Sequence, residues 1–365
     1  MLKSILSKIN LFKEKRMNEN QQQSLGDAST AIQAGGDVHY GITYTEARSI
    51  ALDVAKATFY ELTGVAKETA GIRVEEITEQ VLKKISETNP EHLNKAVDPD
   101  FQFALSTVQK EYARTGDKDL GDLLVDLLVD RSKLEKRDIL QIVLNESLDT
   151  APKLTESHLA ALAIIFLFGY TQNHTIGNHQ ILGEYLDRFV MPFKEKLPTN
   201  DAAYQHLEFS RCGSIMSFGE RNLEQIFGMT YQGQFMKGFE ASVLESMGIP
   251  LALYNQYFIP CLNDLTKLQV RANSQETLEK FLNANVLLSE DIKNKIIQLF
   301  NTNKMTDDEI KQKVTLLRPY MTQVFDVWTT SSMKSFTLTS VGIAIGHANI
   351  KRFSGEFADL RIWIN

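Results

Sequence analysis

Ten consecutive apolar residues, Leu159 to Phe168, put the tightest limit on how this chain can fold. A segment that is apolar on every face must be enclosed on every side. Ten residues are too few to cross a bilayer, which takes about twenty. The spacing therefore predicts a helix over Glu156 to Phe168, capped by Thr155, at the centre of a large helical body.

The flanking sequence supplies amphipathic partners for such a helix. Thr43 and Glu46 have the spacing of a capping box and open a helix through ARSIALDVAKATFYEL. Beyond Gly64 and Gly71, the residues Val74, Ile77, Val81 and Ile85 make a second stripe that ends near Pro90; the two glycines leave open whether one helix bends or two are joined. After Pro99, Leu120, Leu123, Leu124, Leu127 and Leu128 form a strong stripe, and Asp122, Asp126 and Asp130 recur on the other side as an expected solvated acidic face. A helix over Asp138 to Leu148 follows. Later stripes, Ile292, Ile296, Ile297 and Phe300, then Ile310, Val314 and Leu317, start at Ser289 and at the capping box of Thr306 and Glu309.

The C-terminal residues change period. Phe336 and Leu338 alternate with polar residues, Thr339 can cap a helix from Ser340 to about Lys351, and Leu360, Ile362 and Ile364 alternate again as an expected strand. Leu338, Thr339 and Gly342 resemble the opening of a winged-helix ending. The fold class is thus mainly α: a multi-helix body over 44–330, with a possible subdivision near 150, a short N-terminal β-arm pair over 26–43, and a small strand-helix-strand cap over 331–365.

The formal charge of −7 argues against a nucleic-acid partner, which calls for a basic field. Hydrophobic residues at 43% and charged residues at 23% are those of a globular protein. The two cysteines, Cys212 and Cys261, lack metal or redox spacing and suit a reducing cytoplasm. Residues 1–16 depart from the acidic average. Leu2, Ile5, Leu6, Ile9 and Phe12 fall on one helical stripe, with Lys3, Lys8, Lys13, Lys15 and Arg16 around it, a pattern that can lie on an anionic membrane surface. Residues 17–25 read as a Gln-rich linker. Met17 is an alternative start.

The segment Ser24 to Thr43 repeats itself at a ten-residue offset: Gly26-Asp27 matches Gly36-Asp37, and Ile32 matches Ile42. Ala28, Thr30 and Ile32 share one face of an extended arm; Val38, Tyr40 and Ile42 share one face of the next. Gly35-Gly36 supplies the positive φ of a reversal. An isolated two-stranded unit leaves its edges unpaired. The arms must pair with strands of their own body or with copies from other chains, and Gln33 can form amide ladders in the second case. Assembly into a homo-oligomer is the expected role.

Two resemblances attach to these residues. Ile32-Gln33-Ala34-Gly35 is similar to the core of amyloid-forming signalling motifs, in which stacked strands recruit further copies. Gly26 to Val38, as Gly-Asp-x-Ser-x-x-Ile-Gln-Ala-Gly-x-Asp-Val, resembles an N-terminal signature of an uncharacterised bacterial family associated with mobile elements and candidate phage-defence loci. That resemblance implies a context and no mechanism. It names no trigger from phage.

Catalytic signals are weak. His174 and His179 lie in a loop by composition without a third ligand at fixed spacing, so no metal site is expected. His206, Glu208, Cys212 and Ser214 invite a nucleophile reading, but Phe218 stands where a phosphatase loop needs arginine, and a buried cysteine is expected instead. Gly213, Gly219, Gly228, Gly233 and Gly238 lack nucleotide-binding spacing, and no cofactor is expected. The sequence points to a self-associating cytoplasmic protein of antiviral defence, with a peripheral membrane effector and a cryptic hydrolase as alternatives.

Overall fold

The apolar run forms the helix on which the body is built. A computed structural model describes residues 41–58 and 62–365, of which 44–365 make one compact unit. In order, the helices are α1 Tyr44–Thr58, α2 Gly64–Thr88, α3 Pro99–Thr115, α4 Lys118–Ser132, α5 Ile139–Thr150, α6 Glu156–Tyr170, α7 His179–Phe189 and α8 Asp201–Phe209. They continue with α9 Leu223–Thr230, α10 Ala241–Ser246, α11 Tyr254–Tyr257, α12 Gln275–Ala284, α13 Glu290–Thr302, α14 Asp307–Leu317, α15 Met321–Thr330 and α16 Ser340–Ser354. Strands β1 Gly213–Ile215 and β4 Phe336–Leu338 pair antiparallel, as do β2 Phe258–Pro260 and β3 Leu268–Val270.

Helix α6 is buried on every face from His158 to Phe168. Thr155 caps it as expected, with His158 in the place that Glu or Gln takes in a capping box. Its closest companion is α16, where Gly346 lets the two backbones meet: a Cβ there would lie 2.7 Å from the Leu162 carbonyl oxygen. Asn349 donates to the Leu159 carbonyl at 3.0 Å across the same crossing. Helix α16 also packs on α4, α5 and α7, joining the early helices to the late ones.

Helices α1 to α5 form a layer beside this pair. Buried Gln109 of α3 donates to the Ala51 carbonyl of α1 and to Thr78 of α2, so a single amide ties three helices. Tyr44 and Arg48 of α1 bond Glu79 of α2. Gly64 begins α2 at φ +58 and Gly71 lies inside it, which makes the first glycine a boundary and the second an interior residue. A second apolar cluster, including Phe239, Tyr257, Phe258, Leu278, Ile296 and Phe300, holds β2, β3 and α10 to α13 together.

Three expectations are corrected. Leu360–Ile362 is a 3₁₀ turn, not a strand: Leu360 and Ile364, four apart, are buried, while Ile362 between them is exposed, and Asp359 caps the turn at Arg361 N. The strand β4 takes its partner from β1 instead. The winged-helix likeness also fails, because α16 is buried from Gly342 to Ile350 and offers no recognition face. Asp126 and Asp130 are not solvated. Asp126 is buried beside Lys84 at 2.5 Å, and Asp130 accepts from Lys133 and Lys351.

Candidate functional site

The residues expected to mediate assembly, Gly26, Asp27, Ile32, Gln33, Gly35, Gly36, Asp37, Val38 and Tyr40, lie outside the described residues, as do Leu2, Lys3, Ile5, Leu6, Lys8, Ile9 and Phe12 of the membrane stripe. Ile42 is described; it is half-buried, next to Gly41 at φ +122, just before α1. Among the described residues, three gatherings of chemistry-bearing side chains in the body bear on function.

The first surrounds the suspected nucleophile. Cys212 is buried at the end of α8, and burial pushes its thiol up to about 12, far from thiolate at neutral pH. His206 bonds the Lys153 carbonyl at 2.9 Å and stacks on His158 with ring centroids 4.9 Å apart. Glu208 accepts from the Ile215 backbone N–H at the edge of β1. These residues hold α8 to α6 and to β1. His179 is tied to the Gln234 carbonyl at 2.9 Å and His174 is exposed. Among the described residues no three His, Cys, Asp or Glu side chains gather to hold a metal.

The second is a polar cleft of about 600 Å³ between α4, α16 and the C-terminal turn. Lys133, Lys351 and Arg361 line it against Asp130, Glu356 and Asp359, so its fixed charges balance. Burial raises the Asp130 carboxyl, but the charges and hydrogen bonds of Lys351 and Lys133 outweigh that and hold it below the usual range. His347, also on the wall, bonds the Ala358 carbonyl through Nε2 at 2.6 Å, and burial lowers its pKa. Its ring meets Phe166 and Phe357 edge-on, and Trp363 Nε1 donates to the Tyr170 carbonyl at 2.7 Å. The cleft is the seam by which the C-terminal turn is latched to the body.

The third is a pocket of about 410 Å³ under the 216–221 loop, at the junction of α6, α15 and β4. Tyr170, Trp328 and Phe336 contribute rings, and Arg221 and Lys334 are its charged residues.

Residues 41–364 match the model of a protein family. The chain belongs to that family. It is an uncharacterised one, so membership assigns neither activity nor site residues. No curated protein and no solved structure matches the chain. The family match takes in the helical body and stops short of Gly26–Tyr40.

Sequence reasoning placed Cys212 correctly as a buried thiol. It missed the aromatic pocket, because Tyr170, Arg221, Trp328 and Phe336 come from four separate elements and share no spacing. Phe218 was the one available signal, an aromatic side chain in a glycine-containing loop.

Proposed function

We propose that this is a self-associating helical protein that acts as a sensor or effector in bacterial defence against phage, assembling through Gly26 to Ile42. One observation carries the assembly reading: residues 44–365 are a compact unit by themselves, and the family match begins at residue 41, so the repeated arms precede the body. Edges that need partners, and Gln33 with its capacity for amide ladders, favour pairing between copies. The defence context is supported by the resemblance of Gly26 to Val38 alone, with the phage-derived trigger unspecified. Light scattering on the full chain, beside a chain beginning at Tyr44, tests the proposal. The full chain is expected to be oligomeric and the shorter one monomeric and folded; two monomers would end the assembly reading.

A second reading, docking on a membrane surface, is favoured by the apolar stripe and surrounding basic residues of 1–16. Among the described residues no helix is long and apolar enough to cross a membrane. The hydrolase alternative is the least favoured of the three, because burial pushes the Cys212 thiol up to about 12.

A further inference from the structure

We infer that the pocket under the 216–221 loop binds a small aromatic monoanion. Its volume, about 410 Å³, falls in the range of small-molecule sites, roughly 300–1,000 Å³. Its walls are aromatic, with Tyr170, Trp328 and Phe336 among them. Trp328 and Phe336 are buried, at 3% and 6% exposure, and Tyr170 is half-buried, so Tyr170 is the ring best placed to stack on a planar apolar body.

Charge selects the ligand further. Two cations and no carboxylate line the pocket. Lys334 is answered from outside the lining by Glu220 at 3.1 Å. Arg221 is different. Its backbone is held on both sides, its N–H donating to the Lys334 carbonyl at 3.1 Å and its carbonyl accepting from Trp328 Nε1 at 2.7 Å. Its guanidinium has no carboxylate partner among the described residues. A cation whose anchor is fixed and whose charge is unanswered suits one negative group, carboxylate or sulfonate. With a single unanswered cation in the lining among the described residues, a polyphosphate would leave charge uncompensated.

The lip of the pocket points the same way. Phe218 leaves 88% of its surface in water. The loop that carries it is pinned at both ends, by Met216 N–H to the Ser335 carbonyl at 2.9 Å and by Arg221 N–H to Lys334, and Gly219 turns it at φ +88. An apolar ring held at the mouth of an aromatic pocket gains a partner when a planar molecule enters.

The test uses the full chain carrying Trp363→Phe, which leaves Trp328 as the sole tryptophan of the two. Anilinonaphthalene sulfonate is the anionic aromatic probe and phenylnaphthylamine its uncharged counterpart. The sulfonate is expected to bind one per chain and quench Trp328. Arg221→Gln should weaken it about tenfold, the loss of one charge-assisted contact, and leave the uncharged probe unaffected. Phe218→Ser should weaken both probes. Both substituted side chains are exposed, so unfolding midpoints should not change. Sulfonate binding that spares Trp328 emission, or that survives Arg221→Gln undiminished, overturns the assignment. Equal affinity for the two probes on the Trp363→Phe chain overturns it without any substitution in the pocket lining.

Discussion

Asp130 shows at the residue scale how a side chain acquires a role that its neighbours in sequence do not announce. Its spacing from Asp122 and Asp126 suggested a row facing water. The lysine that matters most to it, Lys351, is 221 residues away, and Lys84, which answers Asp126, comes from another helix. No periodicity within α4 encodes either partner. Because the carboxyl titrates lower in the folded chain than in the unfolded one, the unfolded state takes up its proton first as pH falls. The contribution of Asp130 is therefore full above the unfolded value, about 3.9, and is lost as pH drops through the folded value. Asp130→Asn should cost about 2 kcal/mol at pH 7, a moderate figure because both lysines keep some contact with water. In urea titrations the gap from the unsubstituted protein should hold down to about pH 4 and narrow as pH falls below it. A gap independent of pH would show that the pair contributes packing and not charge.

Elements were more legible than residues, and glycines mark where that legibility ends. The starts at Thr155, Ser289, Thr306 and Thr339 follow from capping chemistry that is local in sequence. Gly71 and Gly346 look alike in sequence, each inside a helix, yet they answer to different surroundings. Nothing lies within 4 Å of a Cβ built on Gly71, whereas one on Gly346 would press on the Leu162 backbone. Gly71→Ala should therefore stabilise the protein by about 0.5–1 kcal/mol through helix propensity. Gly346→Ala should destabilise it by about 1–3 kcal/mol, because α6 and α16 would have to separate. Thermal unfolding of the two variants gives opposite shifts if the crossing is as close as described; shifts of the same sign would remove the argument. The turn at Leu360 belongs here too. Alternation predicted a strand, but β4 was already paired with β1, and the docking of Trp363 favoured buried positions four apart.

At the scale of the whole molecule, folding and assembly should be separable. The central helix, its crossing with α16 and the cluster around Phe258 are all contained in residues 44–365. Association that involves only the folded body adds stability by mass action, so its midpoint rises with protein concentration. Association through Gly26 to Ile42 engages a segment that precedes the body, and unfolding the body need not release it. The full chain and the chain from Tyr44 should then melt at the same temperature, and a hundredfold increase in concentration should move neither by more than about 2 °C. Mass measured in parallel should differ between the two. A midpoint that climbs with concentration in both chains would locate the interface on the helical body, and the search for partners would turn to its exposed faces. A climb in the full chain alone would mean that the arms of one copy pair with the folded body of another.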